Sequence, residues 1–73
     1  MALRQIFARN LRYWRLRRGL SQEALAHSAG TDRTYISSLE RQRYSASIDV
    51  IEAIARVLEV EPAALFAPEP PED

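Results

Sequence analysis

The sequence has no cysteine, which excludes disulfides and thiolate metal sites. It has a single histidine, His27, too few for a zinc site or a histidine-dependent catalytic triad. Its first ten residues, MALRQIFARN, contain no uninterrupted apolar run and no small-residue cleavage pattern, which argues against a signal peptide or a membrane span. No nucleophile–base or carboxylate pair suggests a catalytic pocket, so an enzyme is the least favoured class. No internal repeat is present, and 73 residues leave room for one small domain only. A cytoplasmic protein without metal or cofactor is the default expectation, and no pattern points to a small-molecule ligand.

What is present is an uneven distribution of charge. Residues 1–43 carry nine arginines against Glu23, Asp32 and Glu40, a net of +6. Residues 44–73 carry Arg56 against seven acids, a net of −6, and the two halves cancel. A basic half can face phosphates, since each arginine that neutralises one releases condensed counterions. It can equally be a solvated, arginine-rich surface that balances the acidic half. Charge alone does not separate the two.

The stretch from Gly19 to Arg41 reads as two short helices joined by a tight turn. Ser21 is suited to cap the first by accepting a hydrogen bond from an early backbone N–H, and Ala24, Leu25 and Ser28 share one face at helical spacing. Gly30 follows, where a positive φ is cheap. Asp32 is a second cap, and its charge suits a helix N-terminus. The second helix runs from Arg33 to Glu40 with Ile36 and Leu39 as its buried edge. That leaves Arg33, Thr34, Ser37 and Ser38 outside. Short polar groups and one arginine on an exposed helix can approach base edges closely and offer donors and acceptors. Such a pair has the form of a helix-turn-helix.

The flanking segments supply the scaffold. Leu3, Ile6, Phe7, Asn10, Leu11 and Trp14 recur at steps of three and four, defining an amphipathic helix over about residues 3 to 18 with its arginines mostly on the opposite face. Phe7 and Trp14 read as core rather than as a ligand cage. Residues 42–46 lack periodicity and read as a loop. Ser47 caps a fourth helix with Ile48, Ile51, Ile54, Ala55 and Leu58 as its buried stripe, leaving Val50 and Val57 outside as candidates for a partner surface. Pro62 opens a short fifth helix ending near Phe66. Leu65 reads as core and Phe66 as a better interface residue. PEPPED, residues 68–73, has nothing to bury and is expected to be a disordered acidic tail after a domain of residues 1–67. Its use as a linker to further chain is a less favoured reading.

Laid out in this way, the sequence resembles the phage-repressor and Cro-like (XRE-type) helix-turn-helix regulators over about residues 9 to 66. The matching residues are Leu11-Arg12, Trp14-Arg15, Arg18 to Glu23, Leu25-Ala26, Gly30, Arg33 to Ser37, Leu39 to Arg41, Ser47-Ile48 and Leu58. The resemblance implies an all-α, compact five-helix bundle of the lambda-repressor-like type. It further implies a transcriptional regulator, often a repressor, that binds double-stranded DNA as a homodimer on a palindromic operator. Carried over by position, Arg33, Thr34, Ser37 and Ser38 become the base-reading set, with Arg33 able to bond a guanine's O6 and N7 together. The alternative for Arg33 is a solvated arginine near Asp32. Ser21, Gln22, Arg41, Arg43 and Tyr44 become phosphate contacts, and Tyr35 either joins them or covers the core edge. Arg15 and Glu40 are expected to pair. Val50, Val57 and Phe66 are the expected dimer face, and His27 is expected at the surface.

Two departures stand out. Gln42 and Glu59 occupy positions where the family commonly has glycine, so those helix ends are expected to be shaped differently. A protein-interaction or antitoxin-type adapter on the same fold is the competing function. It would turn acids or bulky apolar residues outward from the second helix of the motif, and Arg33, Thr34, Ser37 and Ser38 are neither.

Overall fold

A computed structural model describes residues 2–69. Four α-helices, α1 (Leu3–Arg17), α2 (Gln22–Ala29), α3 (Arg33–Glu40) and α4 (Ile48–Leu58), are followed by a 3₁₀ helix, Pro62–Phe66. The expected fifth helix is therefore present as the tighter i→i+3 form, as suits a piece of only five residues. Expectations for residues 70–73 lie outside the described residues.

The helix starts follow from local chemistry. Ser21, Asp32 and Ser47 each accept a hydrogen bond from the backbone N–H three residues on: Ala24, Tyr35 and Val50, at 2.9, 2.8 and 3.2 Å. Each such cap is worth about 1 kcal/mol. The helix ends share one geometry. Leu20, Thr31, Arg43 and Val60 donate their N–H to the carbonyls of Arg15, Ala26, Ser38 and Ala55, five residues back. In each case the preceding residue bonds three back, the paired pattern of a Schellman turn. That turn needs a left-handed residue, which Gly19 and Gly30 supply at φ 70° and 77°. Gln42 and Glu59 adopt it too, at φ 64° and 60°, so the ends expected to differ without glycine close in the same way as the two glycine ends. The two side chains carry a left-handed penalty of about 1 kcal/mol each, which the paired hydrogen bonds offset.

One core joins all five elements: Phe7 and Leu11 from α1, Leu25 from α2, Ile36 and Leu39 from α3, Ile54 and Leu58 from α4, and Leu65. Each such side chain contributes about 1.5–3 kcal/mol by leaving water. Trp14 packs against this core, as expected, and so do Leu20 and Val60. The periodicity placed several edge residues wrongly. In α2 the inward residues are Leu25, Ala26 and Ala29, and Ser28 is exposed. Leu3 is 61% exposed at the start of α1. In α4, Ile48 is 84% exposed, whereas Val50 and Val57, expected outside, pack against the core. The helix lies on α2 and the 3₁₀ helix, so its covered arc runs through Val50, Ile54, Val57 and Leu58, and its first residue projects beyond the packing. Val50 and Val57, expected as a dimer face, are thus partly covered by the chain's own core. Phe66 is half-buried, its ring stacked on Phe7 at 5.4 Å.

Asn10, read as part of the inward stripe, is fully buried and works as a clasp. Its Nδ2 donates to the carbonyls of Leu65 and Ala67 at 3.1 and 2.8 Å. Arg9 donates to the carbonyls of Ala67 and Pro68. Together they tie the end of the 3₁₀ helix to α1.

Candidate nucleic-acid interface

The position of α3 is set by one carboxylate. Glu40, at its last turn, accepts from Arg15 in a two-point fork, Nε to Oε2 at 2.6 Å and Nη2 to Oε1 at 3.1 Å. Both side chains are buried, so the pair is little screened by solvent. The third arm of the guanidinium donates to the Leu20 carbonyl at 2.9 Å. Gln22 Nε2 donates to Glu40 Oε1 at 3.2 Å. A single acid therefore joins the end of α1, the connection to α2, the start of α2 and the end of α3. Its planar fork with arginine fixes orientation as well as distance.

On the helix so held, Arg33 and Thr34 are exposed and Ser37 is half-exposed. Arg41, just past the helix end, is exposed as well, and steps of three and four put all four residues on one face. The side chains of Arg33, Arg41 and Arg43 make no hydrogen bond or ion pair with any described residue. Ser38 does not join them. It is 8% exposed, and its carbonyl takes the Arg43 N–H at 2.9 Å. The expectation that it faces outward is wrong, because its side of α3 is covered in the folded chain. Tyr35 is half-buried against the core, its ring 6.5 Å from that of exposed Tyr44 and nearly parallel to it. This is the core-edge placement. Ser21 and His27 are exposed, Ser21 while capping α2.

The first helix uses its arginines differently. Arg18 Nε donates to the Leu58 carbonyl at 2.7 Å, at the C-terminal end of α4, and its guanidinium lies 5.3 Å from the centre of the Trp14 ring. With Arg9 and Arg15, it turns the expected outer face partly inward, toward carbonyl ends that carry partial negative charge. The identities of these partners had no signal in the sequence. Asn10 did, as an amide within an apolar stripe.

The two helices, their turn and the polar outer face of the second are the geometry of a helix-turn-helix, and a helix-turn-helix family model matches residues 11–65. This chain belongs to that family of regulators. It is 42% identical over 66 residues to a hypothetical transcription factor of Neisseria meningitidis serogroup B, covering 90% of this chain and 62% of that one. It is 41% identical over 65 residues to control protein C.BamHI of Bacillus amyloliquefaciens, covering 88% and 80% of the two chains. Its fold superposes with a TM-score of 0.83 on the restriction-modification controller protein C.AhdI from Aeromonas hydrophila. The two are 40% identical, and the match covers 86% of this chain and 96% of that one. These relatives are regulators, not enzymes. Among the described residues of this helix-turn-helix chain, no helix is long and apolar enough to cross a membrane, and no cluster of metal-ligating side chains occurs.

Proposed function

We propose that this chain is a sequence-specific regulator that binds a palindromic DNA operator as a homodimer, with α3 in the major groove of each half-site. The observation that carries the reading is the outer face of α3. Arg33, Thr34 and Ser37 stand there without partners on a helix that the buried Arg15–Glu40 pair holds rigidly. Arg33 reads a guanine, and Thr34 and Ser37 supply short donors and acceptors to neighbouring base edges. Arg41 and Arg43 meet phosphates beside the helix, with Tyr44 next to them. At the start of α2, Gln22 spends one amide hydrogen on Glu40, and an amide nitrogen has two. The second hydrogen and the free N–H groups of that helix end form the phosphate contact. A dimer is favoured because one short helix reads few bases, whereas two half-sites a helical turn apart multiply specificity.

Among regulator classes, the controllers of restriction–modification systems fit best. The fold match spans 96% of the C.AhdI structure at 40% identity, and this supports that class. A cytoplasmic location follows from a DNA target.

Selection of bound sites from a random DNA pool tests the reading. The expected result is one enriched sequence with two-fold symmetry and half-sites about one helical turn apart. Binding should also weaken steeply as salt rises. No enrichment, or affinity indifferent to salt, would overturn it.

A further inference from the structure

Among the described residues, Leu3, Tyr44 and Ile48 are large apolar side chains left exposed. Leu3 and Tyr44 line a groove of about 350 Å³ between the start of α1, the loop after α3, and α4. Leu3, Phe7, Tyr44, Ile51 and Phe66 form its apolar lining. Arg4 stands at its rim, steadied by Ser45 Oγ at 2.9 Å from Nη2. Ile48, one helical turn before Ile51 on the same side of α4, projects beside it with 84% of its surface in water.

We propose that this groove is the seat of a second copy of the chain, with Ile48 of each copy inserted into the groove of the other. The proposal rests on the homodimer reading above and names its surface. The groove and the projecting isoleucine sit side by side, which is what a two-fold contact requires: residue i meets j and j meets i. The charges at the site are self-complementary in the same sense. Arg4 lies on the α1 side, and Asp49 and Glu52 are exposed on α4 next to Ile48, so a two-fold axis through the groove sets each arginine against the partner's acids. No residue of α3 lines the groove, so pairing there leaves the outer face of the recognition helix open. An apolar centre with a charged rim is the usual anatomy of a stable interface.

Sedimentation of the full chain over a concentration series, with and without operator DNA, is the test. Ile48→Glu is expected to raise the dimer dissociation constant by at least about tenfold, while at dilutions where both chains are monomeric the melting curve is unchanged, because the side chain packs against little in the monomer. Arg4→Glu is expected to weaken the dimer, and Arg4→Glu combined with Glu52→Arg to restore it. A wild-type dimer that Ile48→Glu leaves intact would overturn the groove while sparing the homodimer reading. A wild-type chain that stays monomeric on its operator would overturn both. A small apolar molecule found in the groove by native mass spectrometry, with dimerisation indifferent to Ile48→Glu, would overturn the proposal in favour of a ligand site.

Discussion

Arg15 and Arg33 lie in the same basic half of the chain and are used in opposite ways. Arg15 is buried, and its guanidinium is engaged by Glu40 and by the Leu20 carbonyl. The Arg33 side chain is exposed and makes no hydrogen bond or ion pair with the described residues. The same contrast separates Arg9 and Arg18, whose guanidinium groups bond the carbonyls that end the 3₁₀ helix and α4, from Arg41 and Arg43, whose guanidinium groups bond nothing described. The basic half is thus divided between internal fasteners on α1, a use its charge did not suggest, and unpaired cations around α3. The difference lies in the acceptors nearby. Where helix ends converge on α1, their carbonyls draw the guanidinium in; the outer side of α3 has no such acceptor.

The most damaging way to break this contrast is to strip the fastener. Glu40→Ala leaves Arg15 charged, buried and unpaired, and is expected to lower unfolding free energy by about 3–5 kcal/mol. Urea denaturation checks this, and an unshifted midpoint would mean that the pair does not hold α3. The next effect is expected at the unpaired cations, under the proposed function. Arg33→Ala should leave the melting temperature alone and reduce discrimination at one base pair by about 1–3 kcal/mol, or about five- to 150-fold. Arg41→Ala should instead weaken all sequences alike and lower the slope of log affinity against log salt by about one. Titrations against matched and mismatched duplexes separate the two. If Arg33→Ala behaved as Arg41→Ala, Arg33 would be a phosphate contact. The smallest expected effect lies at the helix ends. Gln42→Gly and Glu59→Gly relieve a left-handed backbone and should each raise stability by up to about 1 kcal/mol. A loss at either position would show that the side chain contributes more than its strain.

How far these roles were legible depended on how local their causes are. Ser21, Asp32 and Ser47 could be assigned as caps because a cap bonds three residues along the chain, and the structure has all three bonds. Leu11, Leu25, Ile36, Leu39, Ile54 and Leu58 were readable because they sit at the centres of their stripes and any packing partner covers them. Residues at stripe edges were not. Successive helix residues are separated by a wide angle, so a small change in where a neighbour lies exposes Ile48 and covers Val50. Ser38, next to Leu39 at the edge of its stripe, failed for the same reason. The Arg15–Glu40 pair was found only through family resemblance, because 25 residues separate the partners.

By itself, then, the sequence determined where the helices start and stop, which residues form the middle of the core, and that two short helices with a polar outer face lie in tandem. The tertiary structure decided which arginines are fasteners and which are free, which serine of α3 is hidden, and where the exposed apolar groove opens. Caps and stripe centres depend on neighbours within a turn of helix. The rest depends on which carbonyl, loop or helix arrives from elsewhere in the chain, and only packing brings those together.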